Sequence, residues 1–156
     1  MATFGVGSPA VAIVAAAAIS TGATMTYAAA TDSAMVMDVS VTIPTGAGTY
    51  QKYGGSVVLD FEDVNAQFYA HGGNGEGYGS GMSYSVGLVD NYDSPEDYSG
   101  PFIDINAGYD IGVDHCRDPR KPHGSATQAT ALSFSSGLNY GLGVDVYSRP
   151  VQLLEW

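Results

Sequence analysis

The chain has 156 residues, a length that suits one domain able to bury a core without disulfides, and its single cysteine, Cys116, excludes an intrachain disulfide framework. Sixteen acidic against five basic residues give a formal charge of −11, which argues against nucleic-acid binding, because neutralising phosphates requires clustered cations. Charged residues make up only 13%, half the roughly 25% of ordinary soluble domains, and 21 glycines are about twice the usual share.

From the N-terminus, Pro9 to Ile19 reads PAVAIVAAAAI. No Lys or Arg precedes it, so it lacks the charged region of a secretory signal, and as an isolated run it is too short for a transmembrane helix. Alanine favours helix, whereas Val11, Ile13, Val14 and the flanking Gly and Pro fit a buried strand. The strand reading is preferred, with Ala23 to Ala30 as hairpin partner beyond Thr21 and Gly22. Residues 1–30 are thus read as an apolar arm or strand pair, and 31–156 as the main antiparallel region of a single domain.

Met35, Met37, Val39, Val41 and Ile43 alternate with Asp38, Ser40 and Thr42 up to Pro44, which predicts a strand, since successive side chains point to opposite faces. Gly46 to Gly55 reads as turn. Alternation resumes with Val57, Leu59 and Phe61, and Ala66 to His71 extends it. His71 to Gly81, HGGNGEGYGSG, reads as a glycine loop, Met82 to Leu88 as a strand, and Asp90 to Gly100 as an acidic loop. Ile103 to Val113 alternates cleanly, Asp114 to Ser125 is the only basic stretch and carries Pro119 and Pro122, and a terminal segment Val151 to Trp156 follows Pro150. Between them lies the longest regular pattern. Over the seventeen residues from Leu132 to Ser148, Leu132, Phe134, Leu138, Tyr140, Leu142, Val144 and Val146 share one parity, and Ser, Gly, Asn and Asp hold the other. Typical strands run about 5 to 6 residues, so Gly137, or Gly141 with Gly143, is expected to mark a bulge or sheet-switching corner unless the strand reaches beyond its domain. Seven or eight strands joined by turns predict an all-β antiparallel sandwich or jelly-roll-like barrel with an apolar N-terminal arm or edge strand.

Motifs with a defined chemistry are scarce. Gly72, Gly73 and Gly75 echo a calcium-binding nonapeptide, but Gly77 stands where aspartate is required and there is one copy only. Asp90, Asp93, Glu96 and Asp97 are weak candidates for a hard cation, since carboxylate oxygens suit Ca²⁺, but their spacing matches no EF-hand. His115, Cys116 and His123 bring zinc-type donors into one stretch without a fourth ligand, and Arg117 and Arg120 beside Cys116 raise the alternative of an activated thiolate. The plainer reading, cations pairing with surplus carboxylates, is preferred. Asp104 and Asp110 share a strand face, with Asp60 or Glu62 as possible partners, but six positions along a strand separate the first pair by roughly 20 Å, too far for glycoside hydrolysis. Eleven tyrosines fit a carbohydrate surface and fit strands and interfaces equally well.

No cofactor motif is present, and the chain is expected to be non-enzymatic. Its low charge, its Gly/Ser/Ala-rich strands and the long alternating segment point to a structural subunit of a repeating assembly, a viral or bacteriophage virion component or else an extracellular filament, whose partners are copies of itself and other subunits. A pore or outer-membrane β-barrel fits the alternation, and Trp156 is compatible with it, but a membrane is disfavoured by Asp104, Asp110 and Asp145, which would have to face a lumen. A soluble carbohydrate- or calcium-binding module is the third alternative.

Overall fold

The computed structural model describes residues 9–155; the first eight residues and Trp156 lie outside the described part. One helix, α1 (Pro9–Ala30), precedes seven strands: β1 (Ala34–Gly46), β2 (Thr49–Asp60), β3 (Asn65–Tyr78), β4 (Gly81–Asp90), β5 (Gly100–Arg117), β6 (Gln128–Tyr147) and β7 (Val151–Glu155). A short 3₁₀ turn, Pro95–Tyr98, interrupts the acidic loop. The expected all-β antiparallel architecture is what the chain adopts.

All seven strands belong to one sheet in the order β5-β6-β4-β1-β2-β3-β7, and a further pairing of β6 with β3 closes β6, β4, β1, β2 and β3 into a ring. Every pairing in that ring is antiparallel. Each antiparallel step reverses strand direction, so a ring of five cannot close with straight strands; one of them must change direction. It is β6. Residues 128–135 pair with β4, residues 140–147 pair with β3, and β5 accompanies β6 along both halves. Between the halves the β5 ladder slips, Tyr109 facing Leu138 and Ile111 facing Phe134. Gly137 takes φ +82° there and donates its N–H to Asp110 Oδ1 at 2.7 Å, while Asp110 itself has φ 58°. The long alternating segment is therefore bent at Gly137, and Asp110 holds the bend. An L-residue in that region costs about 1–2 kcal/mol. Gly137→Ala is expected to lower unfolding free energy by about that amount in urea titration, and an unchanged midpoint would show that the bend is not needed.

The N-terminal segment corrects the strand-pair expectation. Pro9 to Ala30 is one helix, with proline at its first position, where the missing N–H costs nothing, and alanine dominating the sequence that follows. Alanine's propensity prevails over the β-branched residues because these are scattered through the run. The helix also overturns the judgement of length, since Val11–Ala30 gives 20 residues of mean hydropathy 1.5, long and apolar enough to cross a membrane. Two loop expectations fail as well. The Gly46 to Gly55 stretch is a hairpin whose turn is confined to Ala47 and Gly48, and the HGGNGEGYGSG segment is strand as far as Tyr78. Glycines in β3 and β6 leave room inside the ring for Tyr50: a Cβ on Gly75 would stand 2.6 Å from the Tyr50 hydroxyl oxygen, and one on Gly143 3.0 Å.

Two cores result. Inside the ring, Val36, Val58, Tyr69, Tyr98, Phe102 and Tyr147 pack together, the Tyr98 ring lying 5.0 Å from Tyr147 and 5.2 Å from Phe102. Outside it, Ala16, Ala17 and Ala28 of α1 cover Met35, Val86 and Phe134 on the outer face of β1, β4 and β6. Thr21 and Tyr84 hydroxyls join at 2.6 Å and fix the helix on that face.

Candidate functional site

Strand alternation sends one parity inward and the other outward, and across much of this barrel the inward parity is the polar one. On β6, Asp145 is 3% exposed, whereas Leu142 on the opposite face is 56% exposed. On β5, Asp104 and Asn106 point in, and Ile105, Tyr109, Ile111 and Val113 point out. On β1, Ser40 and Thr42 are buried while Val39, Val41 and Ile43 are exposed. Ile105 lies opposite Leu142 and Tyr109 opposite Leu138, so these side chains form a continuous apolar sheet face.

The helix repeats this exposure. Its residues are uncharged and mostly apolar, yet only the stripe through Ile13, Ala16, Ala17, Thr21 and Ala28 meets the barrel. Val14 and Ile19 are 68% and 73% exposed, and Val11 and Tyr27 are also open. A helix hydrophobic all round is normally surrounded by other apolar matter. Between its second half and the sheet runs a groove of about 530 Å³, lined by Ala23, Tyr27, Leu88, Val113 and Leu132.

The interior carries an ionic cluster. Lys52 of β2 places Nζ 2.8 Å from Asp104 Oδ2 and 3.4 Å from Asp145 Oδ2. His71 of β3 donates from Nε2 to Asp38 Oδ1 at 2.6 Å and stacks on Tyr147, and its Nδ1 faces Asp145 Oδ2 at 3.6 Å, longer than a hydrogen bond. Ser56 donates to Asp38 and Ser85 to Asp114. Burial would discharge Lys52, but Asp104 and Asp145 outweigh it and lift the ammonium well above its ordinary value. His71 follows the same logic: burial lowers it, the carboxylates of Asp145 and Asp38 dominate, and its pKa rises to about 9. Asp114, where burial prevails, is raised. A cavity of about 30 Å³ beside Lys52, Asp104 and Asp114 has room for water only.

The candidate residues of the acidic loop are dispersed among structural tasks. Asp97 accepts the N–H groups of Asp93 and Ser94 and the Lys121 ammonium at 2.8 Å; these partners outweigh burial and hold its carboxyl below the usual range. Asp90, at the end of β4, accepts from Gln128, and Glu96 uses its backbone carbonyl to hold Ser99. Among the described residues no group of three or more His, Cys, Asp and Glu is arranged to hold a metal ion.

Cys116 is buried at the end of β5, and burial pushes its thiol up to about 12, so the activated-thiolate alternative is corrected. His115, its neighbour, faces away and bonds Thr130, because adjacent strand residues point to opposite faces. The basic stretch pairs within the chain, Arg120 with Asp118 and Lys121 with Asp97, as the plainer reading of it expects. Asp60 closes a turn by accepting from the N–H groups of Glu62 and Asp63. The sequence signal for the polar core was the polar parity of β5 and β6; Lys52 and His71 had none, because Lys52 stood in a stretch read as turn and His71 at the junction of a strand extension and a glycine loop.

Comparison with protein-family models, with curated proteins and with solved structures finds no match.

Proposed function

We propose that the protein is a non-enzymatic structural subunit of a repeating assembly, in which α1 packs among the helices of neighbouring copies and the outer sheet face abuts other subunits. The observation that carries this reading is the helix: Val11–Ala30 carries no charge and has a mean hydropathy of 1.5, yet only 6% of its 18-residue apolar stretch lies buried within the chain. Together with the open apolar face of β5 and β6, this leaves contiguous hydrophobic surface exposed, of the kind that marks an interaction site. A helix that needs apolar neighbours on every side suits a filament with a helical core and barrels outside it better than a closed shell, so the filament is preferred to the virion component. Head-to-tail contacts between identical copies extend without closing and generate such a polymer. The interior cavity, about 30 Å³ against about 300–1,000 Å³ for a typical substrate pocket, leaves no room for a substrate inside the barrel.

A second reading rests on the same helix. At about 1.5 Å per residue its 20 residues span roughly 30 Å, the thickness of a bilayer core, and would serve as a membrane anchor. A pore is less well supported, because aromatic rings and ion pairs fill the ring interior.

Light scattering and electron microscopy of full-length protein prepared without detergent test the proposal. Polymers of regular repeat are expected. Val14→Asp combined with Ile19→Asp should convert them to monomers while leaving barrel melting nearly unchanged, since both side chains are mostly exposed. Detergent-dependent monomers that float with lipid vesicles would favour the anchor, and a discrete soluble wild-type monomer would overturn both.

A further inference from the structure

Lys52 and Asp104 come from strands that are not neighbours: β2 pairs with β1 and β3, and β5 pairs only with β6. Their side chains meet across the barrel interior at 2.8 Å, 9% and 6% exposed. Asp145 stands 3.4 Å from the same nitrogen, and Asp38 and Asp114 line the same small cavity. Four carboxyl groups thus surround one lysine and one histidine, which is more than charge pairing requires. We propose that Lys52 and Asp104 condense into an intramolecular isopeptide bond, with the Asp145 carboxyl relaying the proton, so that β5 is tied covalently to β2 through the core.

The step balances without any co-reactant. A proton passes from the Lys52 ammonium to the Asp104 carboxylate, giving amine and carboxylic acid, the pair that a dry interior disfavours least. The Nζ lone pair attacks Cγ of Asp104 and the Nζ–Cγ bond forms. Asp145 takes a further proton from the nitrogen and delivers it to the departing oxygen. The Cγ–O bond breaks and that oxygen leaves as water, so ammonium and carboxylate become an amide and one water. Fixing nucleophile and carboxyl in contact supplies the orientation that makes an otherwise slow condensation accessible. The surrounding carboxylates hold the ammonium proton in place, so reaction proceeds from the minor neutral pair and is slow. Asp114, raised by burial, keeps a proton within the cluster to higher pH than an ordinary aspartate does. The cavity of about 30 Å³ accommodates the water released. The proposal is independent of the assembly reading, because it concerns only the interior of one chain.

Intact-mass spectrometry of the purified full-length chain after prolonged incubation in the folded state, allowing for removal of Met1, is the test. The expected mass is that of the sequence less one water, with peptide mapping placing the link between Lys52 and Asp104. Lys52→Arg, which keeps the cation but cannot form this bond, should show the full sequence mass, and Asp145→Ala should slow the loss of water at least tenfold. Full sequence mass for the wild type would overturn the proposal whatever the variants do. Mass loss at an unchanged rate in Asp145→Ala would overturn the role given to Asp145.

Discussion

Replacing Lys52 by methionine is expected to cost about 3–5 kcal/mol of folding stability at neutral pH, read as a lower urea midpoint with unchanged slope. Four carboxyl groups stand around the ammonium: Asp104 at 2.8 Å, Asp145 at 3.4 Å, and Asp38 and Asp114 lining the same cavity. Methionine fills a similar volume but leaves these carboxyl groups desolvated with only His71 to offset them. The cost is the penalty of uncompensated buried charge rather than the worth of one pair, so the double variant Lys52→Met with Asp104→Leu should recover much of it. Where the isopeptide bond has formed, losing it adds the chain entropy of a loop of about 50 residues, roughly 4 kcal/mol. A single-variant cost below about 1 kcal/mol would mean that the cluster is hydrated or largely uncharged.

The same cluster is expected to make stability fall as pH rises from 6.5 to about 9. His71 sits between Asp38 and Asp145, and its pKa rises from 6.5 to about 9. A group whose folded value is raised stabilises fully below its unfolded value and loses that contribution as pH climbs through the folded one. The shift corresponds to about 3 kcal/mol in all, at about 1.4 kcal/mol per pH unit. Asp38 and Asp145 behave oppositely: burial raises them, but the His71 cation beside both and the Lys52 ammonium outweigh it and lower both, so their contribution is present above about pH 4 and is lost only in stronger acid. Asp114, raised by burial, works against the folded state once it ionises. Greatest stability should therefore lie between about pH 4 and 6.5. Unfolding midpoints followed through this range and up to pH 9 check the claim, and a flat profile above 6.5 would show that His71 is neutral in the folded protein.

How far the fold was legible depended on whether a local pattern had one physical solution. The alternation of β1, β5 and β6 had one, because a period of two with unlike faces is satisfied only by a strand in a sheet. The N-terminal run had two. Alanine with scattered valine and isoleucine fits a helix or a buried strand, and the helix prevails because alanine loses least on becoming helical. The glycines of β3 misled in the other direction, since their freedom suits turns, whereas here Gly75 is a small residue accommodating the Tyr50 ring of the neighbouring strand β2. That ring is remote in sequence, so no window around Gly75 contains the reason for it. The acidic loop was legible as a loop, and Asp97 turned out to be a capping and pairing residue within it.

The sequence by itself determined that this is an antiparallel β-protein, that its strands have unlike faces, and that Leu132 to Ser148 holds its apolar residues on a single parity. Those are consequences of side-chain period, a property of neighbouring residues. Only the tertiary structure decided which parity faces inward. The β6 ribbon bends at Gly137 and closes an odd ring of antiparallel strands, Asp104, Asp145, Lys52 and His71 turn into it, and Leu138, Leu142, Val144 and Val146 turn out. Alternation carries no sign. Assigning one requires knowing what the opposite strands contribute to the interior, and here they contribute the counter-charges that make a polar core possible, leaving the apolar face and most of the helix exposed.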